Sequence, residues 1–345
     1  MMMNITGKRK DEHISINLEK DVQSNRTTGF EYFTFKHNSL PELDLRDVST
    51  RTSFLGKELK LPLMISSMTG GTTRGDFINL RLAEAAQTAG IAMGVGSQRA
   101  QLETIDLSEK PGLRKIAPGI PLYANIGAVQ LNYGYSIKEC QRAVDLLEAD
   151  ALILHLNPLQ EALQPEGQTN FSGLESKIES ICKAIPVPVI VKEVGWGINL
   201  ETAKRFVNAG VTAIDVAGAG GTSWSEVEKH RSTGERYYRI AAKFRDWGNS
   251  TADCIHQVRE GLPEIPLIAS GGLEGGMDLA KAIALGADIC GIARPFLLAA
   301  NHSIEAVMAL IGEISLELRI TMFAAGAADI FTLADTPVVH KSHSA

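Results

Sequence analysis

Apolar residues along this chain gather into eight short runs: Leu61–Ser67, Ile91–Gly96, Leu122–Gly127, Ala151–Asn157, Val187–Val194, Ala213–Gly218, Pro266–Gly271 and Ile289–Arg294. Each run is apolar throughout instead of alternating, as expected of parallel strands covered on both faces. Amphipathic stretches separate them, among them Arg74–Ala89, Ser136–Glu148, Gly173–Ala184, Leu200–Ala209 and Met277–Leu285. Gly90, Gly210 and Gly286 stand just past such stretches, where a left-handed residue ends a helix. Eight strands alternating with helices predict an α/β fold, a TIM (β/α)8 barrel. A doubly wound open sheet is the alternative.

Two regions exceed the bare repeat. Residues 1–60 read as an N-terminal arm and lead-in, with Met1–Asn25 flexible and polar. Residues 61–333 form the barrel, and Thr222–Leu262 is too long for a plain crossover between the sixth and seventh strands. That insertion carries Trp224, Glu228, Arg231 and Trp247 and is expected to hold helices and a functional loop. Residues 334–345 read as a disordered tail.

The chain has 345 residues, 44% hydrophobic and 21% charged, with a formal net charge of -6. This composition suits one globular barrel and gives no reason to expect nucleic acid or a membrane surface as partner. The polar first thirty residues lack the apolar core of a secretory signal, and no run reaches the roughly 18 apolar residues of a spanning helix. Cys140, Cys182, Cys254 and Cys290 form no CxxC pair and read as free thiols in a reducing compartment. A cytoplasmic location is expected.

Polar residues recur at the same end of every strand, the C-terminal end, where this fold places its site. Gly218–Ser223 and Ser270–Gly272, with Ala293 and Arg294, make a phosphate site, since glycines let backbone N–H groups approach an anion near a helix N-terminus. Each glycine pair alone could be a plain turn. Lys192 ends a buried strand and needs an acceptor. A core carboxylate such as Asp215, or a reduced flavin ring with negative charge near N1 and O2, would supply one. Arg9, Lys10 and His13 in the arm, with Ser97 and Arg99, could collect a diphosphate. His155 and Asn157 could join them; a satisfied core histidine is the other reading of His155. Glu161 opposite a diphosphate makes sense with a bridging cation such as Mg2+, or else as a surface residue. No His/Cys pattern suggests zinc, and no GxSxG or Cys/His pair a covalent nucleophile.

The runs Arg9–His13, SSMTGG at 66–71, GSQR at 96–99, NIGA at 125–128, HLNPLQE at 155–161, QPEG at 164–167, KEVG at 192–195, AGAGGTSW at 217–224 and ASGG at 269–272 closely resemble the type 2 isopentenyl-diphosphate isomerases. The resemblance spans Arg9 to about Pro295. It implies a TIM barrel with FMN and Mg2+, the flavin reduced by NADPH, in a homo-oligomer, tetramer or octamer. It implies FMN contacts at Ser67, Met68, Thr69, Ser97, Asn125, Lys192, Thr222, Gly271, Gly272, Leu273, Ala293 and Arg294. It implies substrate contacts at Arg9, Lys10, Ser97, Gln98, Arg99 and Gln160, and Glu161 as the Mg2+ ligand.

The implied reaction moves a double bond between isopentenyl and dimethylallyl diphosphate in isoprenoid biosynthesis. One proton is added, one is removed, and no net redox occurs. The expectation is that reduced flavin acts as the acid through N5, that Lys192 tunes the ring, and that Gln160 shuttles the second proton. Gln160, Lys192 and His155 are the candidate catalytic side chains. Closure by the arm would exclude water. The nearest rival is an FMN oxidoreductase: a hydroxy-acid oxidase would need a base His and a carboxylate-binding Arg near the barrel's end, and a nucleotide dehydrogenase a catalytic Cys loop; no matching pair is expected around strands six and seven, and none of the four cysteines follows such a loop. A non-catalytic phosphate-binding barrel would not need Lys192, Gln160 and Glu161 together.

Overall fold

A computed structural model describes residues 5–68, 70–103 and 112–341. Eight parallel strands close into a barrel: β1 Leu63–Ile65, β2 Ala92–Gly94, β3 Leu122–Gly127, β4 Ala151–Leu156, β5 Val189–Glu193, β6 Ala213–Asp215, β7 Leu267–Ser270 and β8 Ile289–Ile292. Each falls within the apolar run that predicts it. Pairing of β8 with β1, Cys290 opposite Leu63 through Ile292 opposite Ile65, closes the ring and excludes the open sheet.

Local chemistry starts and stops the surrounding helices. Ser136 accepts from Lys138 N while Glu139 reaches back to Ser136 N at 2.8 Å, a capping box that opens the helix Ile137–Leu147. Thr72 caps Thr73–Ala89 by accepting from Gly75 N at 3.1 Å, and that helix stops at Gly90, with φ +69°. Gly210 and Gly286 also sit at positive φ. The interior of the barrel is filled by Met64, Ala92, Tyr123, Ile153, Ile190, Ile268 and Ile289, joined by Phe54 and Leu59 from the hairpin that precedes β1. A larger apolar shell lies between strands and helices. The barrel is thus a packed core, leaving the strand ends to carry chemistry.

The arm differs from the expectation of a flexible segment. Ile5–Glu19 is a helix, with Ile14 buried. Its Lys10, His13, Ile14 and Asn17, at i, i+3, i+4 and i+7, form one stripe that faces a cavity. Three of those four residues are polar, so hydrophobic periodicity does not mark the helix. The segment after it is tied to the loop beyond β6: Ser24 N donates to Gly221 O at 2.9 Å, and Ser223 N to Val22 O at 2.7 Å.

The insertion folds as expected into helices, Trp224–Arg231, Glu235–Ala242 and Thr251–Gly261. The tail departs from expectation. Val338–His340 pair antiparallel with Phe33–Phe35 in a two-stranded ribbon, so this part of the expected disordered tail is a strand. The four cysteines are free, as expected. Among the described residues no helix is long and apolar enough to cross a membrane.

Candidate active site

A cavity of about 520 Å³ opens at the C-terminal ends of the strands, within the size range of cofactor sites. It is lined by the ends of all eight strands, by the N-terminal helix and by the first insertion helix. Nearly all the residues singled out in the sequence meet there: Arg9, Lys10, His13, Ser67, Met68, Ser97, Arg99, Asn125, His155, Asn157, Gln160, Glu161, Lys192, Thr222, Gly271, Gly272, Leu273, Ala293 and Arg294. Thr69 lies outside the described residues. Gln98 is a correction. Its buried amide accepts from Asn125 N at 3.0 Å and donates to Ala143 O at 3.1 Å, so it braces β3 against the helix Ile137–Leu147 and does not line the cavity.

One wall is backbone. A Cβ on Gly271, where φ is +102°, would meet Gly218 O at 2.0 Å. A Cβ on Gly272, φ +81°, would meet the Gly220 carbonyl carbon at 2.5 Å. Only glycine allows these two turns to pack main chain on main chain. They form a shallow cradle beside the first turn of Arg294–His302, whose free N–H groups favour an anion. Ser67 Oγ is buried without a hydrogen-bond partner among the described residues, and Lys192 Nζ projects from the end of β5. A phosphate in the cradle and a flat, hydrogen-bonding ring across the barrel mouth fit this set, so the residues suit FMN.

Lys192 unites the two readings made of it. Its Nζ lies 3.2 Å from Ser270 Oγ and 3.2 Å from Asp215 Oδ2, and it also lines the cavity. Ser270 Oγ in turn donates to Asp215 Oδ1 at 2.5 Å.

The opposite wall is cationic and polar. Lys10 Nζ donates to Gly70 O at 2.6 Å and Ser97 O at 2.7 Å, pinning the N-terminal helix across the loops after β1 and β2. Burial, and then the charge of Arg9, lower its ammonium to about 8. Arg9 donates to Gln164 Oε1 at 3.0 Å, and Arg99 to Gln168 Oε1 at 3.2 Å.

His155 Nδ1 lies 2.8 Å from Asn125 Oδ1. Asn125 Nδ2 donates to Val95 O at 3.1 Å, which leaves Asn125 Oδ1 as the acceptor and puts the proton on His155 Nδ1. Burial, then the charges of Lys192, Lys10 and Arg9, push the imidazole down to about 4. His155 is therefore a neutral ring with Nε2 as an acceptor, not an added cation for a diphosphate.

Glu228 was visible in the sequence only as part of an overlong insertion, yet it organises this wall. Oε1 accepts from Gln160 Nε2 at 2.9 Å and Gln164 Nε2 at 2.7 Å, with His13 Nε2 at 3.1 Å. Oε2 accepts from Arg231 Nε at 2.8 Å. Burial opposes its ionisation, but the approach of His13 Nε2, which makes no hydrogen bond of good geometry among the described residues, with Arg231 and Gln160, outweighs it and holds the carboxyl at about 2. The signal that could have found it is a carboxylate in an insertion otherwise facing the mouth, but its partners stand far away in sequence.

Glu161 is buried; Oε1 accepts from Asn157 Nδ2 at 3.0 Å and Oε2 from Gln168 N at 2.6 Å. Asn157 Oδ1 is buried without a hydrogen-bond partner among the described residues. A carboxylate beside an orphaned amide oxygen is a hard oxygen donor set, which suits Mg2+ with waters and phosphate oxygens completing it. The described residues contain no cluster of three or more His, Cys, Asp or Glu side chains, so any metal here depends on such outside donors.

Glycine cradle, barrel mouth and strand-end lysine define a flavin-binding (β/α)8 barrel, and comparison with known proteins agrees. Residues 15–117 and 157–340 match the model of the FMN-dependent dehydrogenases. Among solved structures, a mandelate oxidase mutant with benzaldehyde superposes with a TM-score of 0.67 at 19% identity, covering 96% of this chain and 94% of that one. A flavocytochrome b2 variant with sulfite bound gives 0.70 at 16% identity, covering 96% and 83%. At those identities the likeness shows the fold.

Curated relatives narrow the family. An isopentenyl-diphosphate delta-isomerase of Nostoc sp. is 53% identical over 326 residues, 94% of this chain and 93% of its own. One from Rickettsia africae is 51% identical over 335 residues, 97% and 98%. The chain belongs to the isopentenyl-diphosphate delta-isomerases, within the FMN-dependent dehydrogenase family.

Proposed function

We infer that this chain interconverts isopentenyl and dimethylallyl diphosphate, using reduced FMN and Mg2+. The observation that carries this reading is one cavity with two unlike walls. A phosphate cradle and Lys192 suit the cofactor, and Arg9, Lys10, Arg99 and Glu161 suit a second, metal-bridged diphosphate.

The chain's own residues divide the work. Gly218–Thr222, Gly271–Leu273 and Ala293–Arg294 would hold the cofactor phosphate. Ser67, Met68, Ser97, Asn125 and Lys192 hold its ring. Arg9, Lys10, Ser97 and Arg99 would bind the substrate diphosphate, and Glu161 with Asn157 would hold Mg2+. The N-terminal helix shuts the mouth and keeps water from the alkene. Reduced FMN, when bound, supplies an acid–base centre at N5 and negative charge in its ring. Gln160, its Nε2 tied to Glu228 Oε1 and its Oε1 to Asn157 Nδ2 at 3.2 Å, handles the second proton at Oε1. His155, neutral, offers Nε2 as an acceptor. The same reading includes NADPH as reductant and a cytoplasmic homo-oligomer, tetramer or octamer; four free thiols accord with a reducing compartment.

The test is conversion of isopentenyl diphosphate in anaerobic buffer with FMN, Mg2+ and NADPH, and with each omitted in turn. Dimethylallyl diphosphate formed only with reduced flavin and metal, without stoichiometric NADPH use, is the expected result. Stoichiometric NADPH consumption with no isomer would assign the site to an oxidoreductase instead. Full turnover with a deaza-flavin lacking acid–base capacity at N5 would remove the flavin from the proton transfers.

A further inference from the structure

Behind the cavity stands a buried charge that the reading above does not use. Asp215 ends β6, directly opposite Lys192 in the β5–β6 register, and is fully buried. It does not line the cavity, whereas Lys192 and Ser270 do. Three neighbouring strands, β5, β6 and β7, thus bring an ammonium, a carboxylate and a hydroxyl together at one end of the barrel.

The contacts are unequal. Asp215 Oδ1 accepts from Ser270 Oγ at 2.5 Å and from Ala217 N at 3.3 Å. Asp215 Oδ2 has no hydrogen bond of good geometry and faces Lys192 Nζ at 3.2 Å. Ala217, two residues on, adopts φ +40°, a strained backbone for a residue with a Cβ, where the chain turns from Asp215 into the glycine cradle. A buried carboxylate is costly unless its partner needs it. Apolar residues of similar volume often serve a core as well as a buried ion pair does, so the charge itself calls for a purpose.

We propose that Asp215 is a positioning residue for the flavin: it fixes Lys192 at the cavity floor and partly neutralises it, setting how strongly the site prefers reduced FMN over oxidised FMN. The inference rests on the FMN reading of the cavity. Reduced flavin gains negative charge at its pyrimidine edge, so a full, unshared cation there would bind it much more tightly than the oxidised form. A cation already shared with a carboxylate at 3.2 Å favours it less. The ring's charge then remains available to the substrate side, as acid–base chemistry without net redox requires. Ser270 has the opposite effect. Its Oγ accepts from Lys192 Nζ at 3.2 Å, a neutral and longer contact, but by donating to Asp215 at 2.5 Å it disperses the carboxylate's full charge and loosens its hold on Lys192.

The readout is the two-electron midpoint potential of protein-bound FMN, measured by dye equilibration, which reports the ratio of affinities for the two redox forms. Asp215→Asn keeps the shape and removes the charge. It should raise the preference for reduced FMN at least roughly tenfold, or about 30 mV for a two-electron couple. Ser270→Ala should shift the potential the other way, because the carboxylate then concentrates on Lys192. A merely structural role would weaken both redox forms alike and leave the potential where it was. An unchanged potential in Asp215→Asn, or shifts of the same sign in both variants, would overturn the proposal. If Asp215→Asn does not fold, Ser270→Ala decides alone: a lowered potential supports the inference and an unchanged or raised one ends it. Failure of the wild-type protein to bind FMN would instead refute the reading of the cavity, and this inference with it.

Discussion

His155 and Glu193 show how single buried groups leave opposite marks on stability. Folding holds His155 near 4, below its ordinary 6.5. The unfolded chain therefore binds the extra proton, and this group's contribution is complete above 6.5 and lost as pH falls toward 4. Glu193, at the end of β5, is pushed by burial up to about 7, against backbone bonds from Trp196, Gly195 and Val194. Its contribution is complete below about 4.5 and lost as pH rises through 7. Between pH 7 and 5 each amounts to about 2 kcal/mol, with opposite sign. In the wild type these two contributions nearly cancel, so neither shows by itself. The difference is diagnostic: acidification from pH 7 to 5 should stabilise His155→Asn relative to wild type by about 2 kcal/mol in urea titrations. Parallel curves for the two proteins would mean that His155 is not held neutral.

Gly271 makes a sharper prediction at the same scale. With φ +102° and the Gly218 carbonyl at 2.0 Å from any Cβ, Gly271→Ala must either move the cradle or break it. The expected cost is about 3 kcal/mol of stability or a comparable loss of FMN affinity. Protein that purifies as yellow and melts as the wild type does would show that the two glycine turns do not need their close approach.

Among the elements, the N-terminal helix is the most exposed to test. Lys10 anchors it to Gly70 O and Ser97 O, and burial beside Arg9 brings the ammonium to about 8. As pH rises through that value the helix loses a cation from the substrate wall. KM for the diphosphate should climb above pH about 8 while kcat holds, and Lys10→Arg should move the rise to higher pH, since guanidinium does not titrate there. A KM rise at the same pH in both proteins would clear Lys10 of the role.

This helix also shows what sequence patterning can and cannot reveal. The eight strands are legible because both faces of each are buried, so the signal is continuous. The cradle is legible because only glycine permits it. The helix Ile5–Glu19 escapes because the stripe it turns inward, Lys10, His13 and Asn17 around Ile14, faces a wet cavity and not a core. The strand Val338–His340 escapes because its three residues make a ladder with three others some three hundred positions away. Gln98 looks like a ligand because it stands beside Ser97 and Arg99, yet its side chain turns back to Asn125 and Ala143. Glu228 escapes because His13, Gln160 and Gln164 meet it only once the chain is folded.

For the whole molecule, site and barrel are the same structure. The cradle is built from the ends of β6, β7 and β8, and β8 closes the ring on β1. The insertion and the N-terminal helix are stitched to that ring through Glu228 and the Val22–Ser223 contact. The cradle cannot open without loosening strands that complete the core. FMN bound at a hundred times its Kd should therefore stabilise the chain against global unfolding by the full linkage amount, about 2.7 kcal/mol. Calorimetry should show one transition that moves upward with FMN concentration. Two transitions, with FMN shifting only the lower, would mean that the mouth unfolds apart from the barrel, and that the helix and insertion form a separate layer laid over a ring stable without them.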